Sequence, residues 1–325
     1  MKSLLLFLIT LVTTSLSAQS FGWVETGVGG SDIVGTRVET ASNEDYVVGG
    51  EFSGAATFGS VNLTGSADGS IFVCRYDSSG SIQWGKSFSS TDEVEFGGLA
   101  TGPSGETYLC GTFEGTLTMG TITVSNIEDE NGFLAKLDAS GNVSWVVDIE
   151  SGEEAKAGDV AVDGIGRVIV IGSFEEDVVL DSITLTDFGE EAMFVAAFNG
   201  SGDVLWAAKA SSGDGIEGKS VRADAVGNVY VTGEFEGATQ FGTTTLPNAD
   251  DNDLFVTKLD NSGNFLWANG VGGSDDVGGN SLALSSGTDV FVVGEFEGSA
   301  IFSLATLSST GSTNGFLAKY NTSGA

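Results

Sequence analysis

The sequence contains no histidine and few prolines, cysteines or basic residues. Its 325 residues include two Pro, two Cys and 12 Lys or Arg, against 45 Asp or Glu, for a net charge of −33. The absence of histidine excludes a histidine triad, a histidine-ligated zinc and an imidazole pH switch. The negative charge repels phosphate backbones and anionic lipid head groups, which excludes nucleic-acid and membrane-surface roles.

The N-terminus has the pattern of a cleaved secretory signal peptide. Lys2 precedes an apolar run at 4–12 that is too short to span a bilayer, and small residues follow at Ser17 and Ala18. We expect cleavage after Ser17 or Ala18, so residues 1–18 are the signal and 19–325 form the exported domain. Gln19 stands where a lipoprotein would need cysteine, and no later segment is apolar enough for membrane insertion.

The two cysteines, Cys74 and Cys110, lie in the apolar runs IFVCRY and TYLCGTF. These runs predict two buried thiols. A disulfide between them is the alternative, because an exported protein meets an oxidising environment.

A strict internal repeat organises the chain. The tryptophans stand 61 residues apart, at Trp23, Trp84, Trp145, Trp206 and Trp267. Counting from each Trp, position 27 is always Gly, positions 29 and 49 are always Phe, and position 57 is always Gly. The chain is therefore five copies of one unit.

Each copy predicts four short strands. The second strand, such as NVYVTGEF at 228–235, has apolar residues at both odd and even positions, so both of its faces must be buried. A D-x-S-G turn joins the third strand to the fourth. Such units predict an all-β fold, a β-propeller whose five 61-residue repeats are four-stranded antiparallel blades.

The runs GNVYVTGEFEG and DLFVTKLDNSGNFLW resemble the SBBP-type β-propeller repeats of secreted bacterial proteins. The resemblance covers residues 23–325. It implies a propeller, and it implies little about activity because such repeats serve mostly as scaffolds. The family has seven blades and this chain has five repeats, so the blade number is not transferred.

The ends of the repeat array predict closure of the ring. FGWVETG at the start reads as a lone fourth strand, and the last copy ends before a fourth strand of its own. We expect residues 21–25 to pair beside residues 316–321, which would remove the exposed edges. A longer protein cut short is the alternative.

The tryptophan column has two interpretations. A Trp in every copy is typical of a residue that packs one blade against the next, and five stacking platforms for sugar rings are the alternative. We expect the structural role for Trp23, Trp84, Trp145, Trp206 and Trp267.

Acidic residues form two columns in loops that a four-stranded blade places on one face. Positions 28 and 30 carry Glu51, Glu114, Glu175, Glu234, Glu236, Glu295 and Glu297, and positions 8 and 9 carry Asp32, Asp92, Glu93, Glu153, Glu154, Asp214, Asp275 and Asp276. The glutamates at positions 28 and 30 are the candidate binding residues, because long loops on a rigid scaffold usually carry binding.

Three functions fit this acidic face. One is Ca²⁺ binding, with Asp32, Asp92, Asp214, Asp275 and Asp276 as candidate ligands, although no D-x-D-x-D-G loop occurs. The second is a non-catalytic scaffold or binding module for an extracellular protein or a glycan. The third is a carboxylate glycosidase in the propeller channel. We expect the module, a monomer with no cofactor beyond such Ca²⁺ and no catalytic residues, because the acids form repeated columns whereas catalysis needs a few unique ones.

Overall fold

A computed structural model describes residues 25–29, 32–41, 44–126, 130–186, 191–247, 251–285 and 289–325. These residues form 30 β-strands joined by turns, and every pairing between the strands is antiparallel. The described residues include no helix long and apolar enough to cross a bilayer. The signal peptide and cleavage site predicted for residues 1–18 lie outside the described residues, as does Trp23.

The strands group into five units that follow the sequence repeat. After β1 (Gly27–Gly29), unit 1 comprises β2 (Ile33–Thr40), β3 (Tyr46–Phe52), β4 (Ala55–Phe58), β5 (Val61–Thr64), β6 (Ser70–Tyr76) and β7 (Ile82–Phe88). Unit 2 comprises β8 (Val94–Thr101), β9 (Thr107–Phe113), β10 (Thr116–Met119), β11 (Ile122–Ser125), β12 (Asn131–Leu137) and β13 (Val143–Ser151).

Units 3 and 4 repeat this order and unit 5 follows it in part. Unit 3 comprises β14 (Ala155–Val162), β15 (Val168–Phe174), β16 (Asp177–Leu180), β17 (Ile183–Thr186), β18 (Ala192–Phe198) and β19 (Val204–Ser211). Unit 4 comprises β20 (Ile216–Ala223), β21 (Val229–Phe235), β22 (Thr239–Phe241), β23 (Thr244–Leu246), β24 (Asp253–Leu259) and β25 (Phe265–Val271). Unit 5 comprises β26 (Val277–Leu284), β27 (Asp289–Phe296), β28 (Ser299–Phe302), β29 (Ala305–Ser308) and β30 (Asn314–Asn321).

The main sheet of units 1 to 4 has four strands, as the sequence predicts, in orders such as β2-β3-β6-β7 and β20-β21-β24-β25. The second strand is buried on both faces. Along β15, Ile169 and Ile171 pack against unit 4 whereas Val168 and Val170 pack against unit 2. Unit 3 therefore lies between two neighbours and shares a hydrophobic core with both.

The connection from the second to the third main strand contains a hairpin, so the prediction of a long loop there is wrong. The hairpins of units 3 and 4 extend the sheet of the preceding unit by pairing next to its fourth strand, and those of units 2 and 5 are two-stranded sheets that meet the preceding unit through one bridge each. In unit 3, Leu180 of the hairpin pairs with Ile149 of β13. The hairpin thus fastens consecutive units together at their outer edge.

The invariant glycine at position 27 is required by a close approach within each main sheet. The first strand bulges opposite it, for example between Phe96 and Gly98. A Cβ on Gly111 would lie 2.0 Å from the carbonyl oxygen of Glu95, and one on Gly172 would lie 1.8 Å from that of Lys156. No larger residue fits without moving the first strand.

Each described tryptophan of a fourth strand lies on the third-to-fourth turn of the next unit. The Trp84 indole N–H donates to the carbonyl of Ala139 at 3.0 Å, and that of Trp145 donates to Gly200 at 3.2 Å. The ring of Trp84 covers the Cα of Gly141, the position 57 glycine, where a Cβ would lie 2.8 Å from the indole. This glycine also has a φ of 77°. The tryptophans therefore join consecutive units by packing, and Trp84, Trp145 and Trp267 add a hydrogen bond.

The thiols of Cys74 and Cys110 are buried and unbridged, which confirms the sequence-based expectation. Their surroundings are apolar. Burial raises the pKa of the Cys74 thiol to about 12.

A closed ring is not seen among the described residues. The third main strand of unit 5, β30, pairs with β27, and β1 pairs with the hairpin strand β4. The predicted pairing of residues 21–25 beside residues 316–321 lies outside the described residues except for Glu25. Closure therefore stays a prediction.

Two glycine substitutions separate the tryptophan contact from backbone strain. Gly141 and Gly166 have similar turns and φ values of 77° and 87°, but a Cβ on Gly166 would meet no atom within 4 Å. Gly166→Ala should cost about 1–2 kcal/mol through its left-handed backbone. Gly141→Ala should cost about 1–3 kcal/mol more, because it also displaces Trp84. Urea unfolding would measure both, and equal losses would contradict the proposed packing.

Candidate acidic site

The two acidic columns meet in the structure on one face of the units, as the sequence predicts. In each unit, the amide at position 30 donates to the carbonyl at position 9. The repeated bonds are Ser53 to Asp32 at 3.4 Å, Glu114 to Glu93 at 2.9 Å, Glu175 to Glu154 at 2.9 Å, Glu236 to Gly215 at 3.0 Å and Glu297 to Asp276 at 2.9 Å. The backbone therefore holds carboxylates from separate loops side by side.

Between units 2 and 3, these loops enclose a cavity of about 270 Å³ lined entirely by glutamates. The lining residues are Glu114, Glu130, Glu153, Glu154 and Glu175. Two pairs of carboxyl groups lie within hydrogen-bonding reach there, Glu130 with Glu154 and Glu153 with Glu175. Two carboxyl groups can share a hydrogen bond only when one of them is protonated.

The electrostatics of this glutamate cavity favour protonation of one partner in each pair. Burial raises the pKa of Glu130, and its hydrogen bond with Glu154 acts in the same direction. Burial and the hydrogen bond with Glu153 likewise raise the pKa of Glu175. Lys156 lowers the pKa of Glu154 by pairing closely with it, and its ammonium lies 3.6 Å from Glu130. One lysine of the chain therefore offsets part of the negative charge in this cavity.

A second cavity of about 250 Å³ lies between units 4 and 5. It is lined in part by the predicted residues Glu234, Asp276, Glu295 and Glu297, together with Lys219. Lys219 lies 2.8 Å from Glu234. This second cavity is therefore partly neutralised by its own lysine.

The other predicted residues have local partners. Glu51 accepts a hydrogen bond from the amide of Phe96 in unit 2 at 2.9 Å. Asp92, Asp214 and Asp275 each lie against the glycine that follows position 30 in their own unit, at Gly115, Gly237 and Gly298. Each of these aspartates lines its own loop.

The predicted calcium ligands do not converge. Asp92, Asp214 and Asp275 belong to three different units, and Asp276 accepts a hydrogen bond from the amide of Asn252. In the part of the chain that the structure describes, no group of three or more acidic or cysteine side chains is arranged to hold a metal ion. The residues present therefore do not fit the calcium site that the sequence suggested.

A third cavity of about 170 Å³ lies along the first strands, on the side where a propeller would have its channel. Glu95, Lys156 and Glu217, all at position 11, line it together with glycines such as Gly97 and Gly158. Burial raises the pKa of the Glu217 carboxyl. The first strands approach so closely that a Cβ on Gly97 would lie 2.1 Å from the Ala157 carbonyl. The first strands of units 2 and 3 are therefore in close contact beside this cavity.

Glu130 belongs to the acidic run at 128–130 in the connection from the second to the third strand, which the sequence places on the same face as the two columns. Sequence reasoning missed Lys156, Glu217 and Asp253, which stand outside the columns and outside that run. Lys156 and Glu217 could have been found at position 11, which alternates with apolar residues along the first strand. Asp253 carried no such signal, because its burial depends on tertiary contacts.

Comparison with known proteins indicates the class of repeat protein. An uncharacterized WD repeat-containing protein of Acanthamoeba polyphaga mimivirus is 27% identical over 123 residues, which cover 36% of this chain and 9% of that protein. Together with the repeated antiparallel sheets, this distant relative indicates a β-propeller-like repeat protein. The match spans only a small part of the relative's length.

Two further comparisons leave the family open. No family model matches the chain, so the resemblance to SBBP-type repeats is not confirmed. A solved Bacteroides caccae protein of unknown function is 12% identical, with a TM-score of 0.39, and the match covers 77% of this chain and 69% of that one. This TM-score is too low to define a shared fold.

Asp253, at the start of β24, can test how burial of a carboxyl group affects the stability of the fold. Burial, reinforced by Asp251, raises the pKa of Asp253 to about 6. The folded state therefore binds this proton more tightly than the unfolded chain does. Above pH 6 the ionised Asp253 carboxylate destabilises the fold, and this destabilisation disappears as the pH falls towards the ordinary aspartate pKa of about 4. Asp253→Asn should therefore stabilise the protein at pH 7.5, and by less at pH 4.5.

Chemical denaturation at the two pH values would measure this gain. Asp68→Asn is the control, because Asp68 is exposed and its substitution removes the same formal charge. A gain that is equal at both pH values, or equal in the two variants, would show that burial does not disfavour the Asp253 carboxylate.

Proposed function

We propose that this chain is an exported, non-catalytic binding module whose acidic loop face recognises a basic segment of an extracellular protein. Export rests on the signal-peptide pattern of residues 1–18. The observation that carries the binding proposal is the glutamate cavity between units 2 and 3. It gathers five carboxyl groups, and one lysine of the chain contacts two of them.

A cationic side chain would reduce the electrostatic repulsion between the glutamates of this cavity. Burial and the neighbouring carboxyl groups raise the pKa of Glu130 and Glu175, so their ionised forms are disfavoured unless a cation lies beside them. An arginine or lysine would stabilise the ionised forms and would form charge-assisted hydrogen bonds to two oxygens at once. Binding should therefore lower these pKa values and weaken as salt is added.

The geometry gives less support to the alternatives. Retaining glycosidases need carboxyl groups about 5–5.5 Å apart and inverting enzymes need a wider separation, whereas the carboxyl pairs in this cavity are in hydrogen-bonding contact. The channel lining, among the described residues, has no tyrosine beside its carboxylates. A glycan ligand would usually stack on exposed aromatic rings, but the described tryptophans pack on glycines of the next unit.

The test uses an octa-arginine peptide and calorimetry on the mature protein. Glu153→Gln with Glu175→Gln removes two carboxylates from the cavity. Asp203→Asn with Glu106→Gln removes two from the opposite face and so keeps the net charge of the two variants equal. The cavity variant should bind about tenfold more weakly than the control, which corresponds to the loss of about 1.4 kcal/mol.

Equal affinity of the two variants would mean that the peptide binds to the net charge of the protein, and the proposed site would be wrong. Calcium chloride and a panel of oligosaccharides are titrated in parallel. Saturable binding of either one that is lost in the cavity variant, while octa-arginine binds both variants equally, would replace the basic partner with that ligand.

A further inference from the structure

A fourth cavity, of about 380 Å³, lies between units 1 and 2 beside the third-to-fourth turns, on the face opposite to the acidic loops. Its lining residues are Asp45, Arg75, Gln83, Trp84, Ala139 and Ser140. This turn-face cavity is larger than the three cavities described above, and it falls within the range of about 300–1,000 Å³ that is usual for small-molecule sites. Both units contribute to its wall, so their packing against each other fixes its shape.

The other interfaces show what usually fills this space. In the three later interfaces, a basic side chain donates to the carbonyl at position 55 of the following unit. These bonds are Lys136 to Gly200 at 3.0 Å, Arg167 to Asn261, and Lys258 to Thr322 at 3.2 Å. Between units 1 and 2 the equivalent carbonyl belongs to Ala139. Among the described residues, it accepts from the Trp84 indole and from no basic side chain.

Arg75 leaves the space open because its guanidinium is held elsewhere. It occupies position 52, as Lys136 does, but its Nε donates to the Asp45 carboxylate at 2.9 Å and its Nη1 donates to the Gly105 carbonyl at 2.7 Å. The Arg75 side chain is only 6% exposed. Two hydrogen bonds and burial therefore fix the guanidinium at one wall of the cavity, away from Ala139.

A second residue of unit 1 leaves room in the same place. In units 2 and 4, the lysine at position 52 lies over a tyrosine ring at position 24, with its ammonium 5.4 Å from the centre of Tyr108 and 5.1 Å from that of Tyr230. In unit 1, position 24 is the smaller Val47. The turn-face cavity therefore results from residues in which unit 1 departs from the repeat.

Four polar groups in the wall of this cavity keep hydrogen-bonding capacity. Among the described residues, Nη2 of Arg75 has no acceptor and Oδ1 of Asp45 has no donor. The Ala139 carbonyl has a second lone pair, and the Ser140 hydroxyl has no partner among those residues. The half-buried indole of Trp84 adds an apolar wall. The cavity thus offers donors, acceptors and apolar surface together.

The charges of the wall favour a neutral ligand. The guanidinium of Arg75 and the carboxylate of Asp45 lie 2.9 Å apart, so each already has its counter-charge, and a charged ligand would compete with that partner. A hydroxyl group both donates and accepts hydrogen bonds. A ring with several hydroxyls can therefore satisfy the donors and the acceptors of this wall at once, while its C–H groups lie against the indole.

We propose that the turn-face cavity binds one neutral sugar residue of a glycan. Arg75 donates to the sugar hydroxyls, Asp45 and the Ala139 carbonyl accept from them, and Ser140 does either. An open ring face for stacking is not required, because these groups orient the sugar and Trp84 supplies only the apolar side. The site lies on the face opposite to the glutamate cavity, so it is separate from the proposed recognition of a basic segment.

The experiment titrates the mature protein with the methyl glycosides of glucose, galactose, mannose and N-acetylglucosamine, and follows binding by saturation-transfer NMR. We expect saturable binding of at least one glycoside. Ser140→Leu should weaken that binding about tenfold or more, because the leucine fills part of the cavity and removes one hydrogen bond. Ser201→Leu is the matched control, since Ser201 is the equally exposed serine of the next turn, where Lys136 fills the corresponding space. It should leave the affinity unchanged.

A second variant uses the repeat itself to close the cavity. Arg75→Lys keeps the charge and introduces the residue that units 2 and 4 have at position 52. The new lysine should reach the Ala139 carbonyl, as Lys136 reaches Gly200, and so abolish sugar binding. Urea unfolding of this variant checks that the fold is retained.

Two results would overturn the proposal. Equal affinity of Ser140→Leu and Ser201→Leu for the glycoside would show that the sugar binds elsewhere. A lack of saturable binding of every glycoside, up to tens of millimolar, would show that the cavity takes no sugar. Methylammonium chloride is titrated in parallel, and its binding in place of any glycoside, lost in Ser140→Leu, would identify a cation as the ligand. Octa-arginine should bind wild type and Ser140→Leu equally, so failure here leaves the glutamate cavity untouched.

Discussion

The second strand of an inner unit carries apolar side chains on both faces, so it buries both faces only by packing between two neighbours. Ile169 and Ile171 contact the core shared with unit 4, and Val168 and Val170 contact the core shared with unit 2. An isolated unit would leave one or both faces in water, and burial of apolar area contributes about 25 cal/mol per Å². The stacking of units follows from this need, as in other repeat proteins. The Trp-on-glycine contact and the outer hairpin then set how each pair of units meets.

The contacts between units are kept even where the residue that usually makes them is lost. At position 52, Lys136 reaches the Gly200 carbonyl of the next unit at 3.0 Å, but the equivalent residue of unit 3 is the buried Ala197. Arg167 reaches instead to the carbonyl of Asn261, the acceptor that corresponds to Gly200. Trp206 accordingly has no hydrogen-bond partner for its indole N–H among the described residues. Both interfaces therefore keep a hydrogen bond to the equivalent carbonyl, although different residues donate it.

The sequence predicts the features that depend on short-range pattern or on repetition. The 61-residue period, the buried second strand and the common face of the two acidic columns all follow from residue spacing and strand alternation. The hairpins were missed although their signal is visible, since runs such as TLTM and ITVS alternate around a two-residue turn at Gly120. Pairing of a hairpin with the preceding unit is a tertiary contact, and no local pattern encodes it.

The membership of the glutamate cavity could not be predicted for a related reason. Glu114 and Glu175 belong to a column, whereas Glu130 follows the hairpin of unit 2 and enters the cavity only because that hairpin fixes the third strand. The two acidic columns accordingly do not form the same cavity in every unit. The cavity between units 4 and 5 contains Lys219, and the channel cavity contains Lys156. The cavities of the units therefore differ chemically because of the residues that do not follow the repeat.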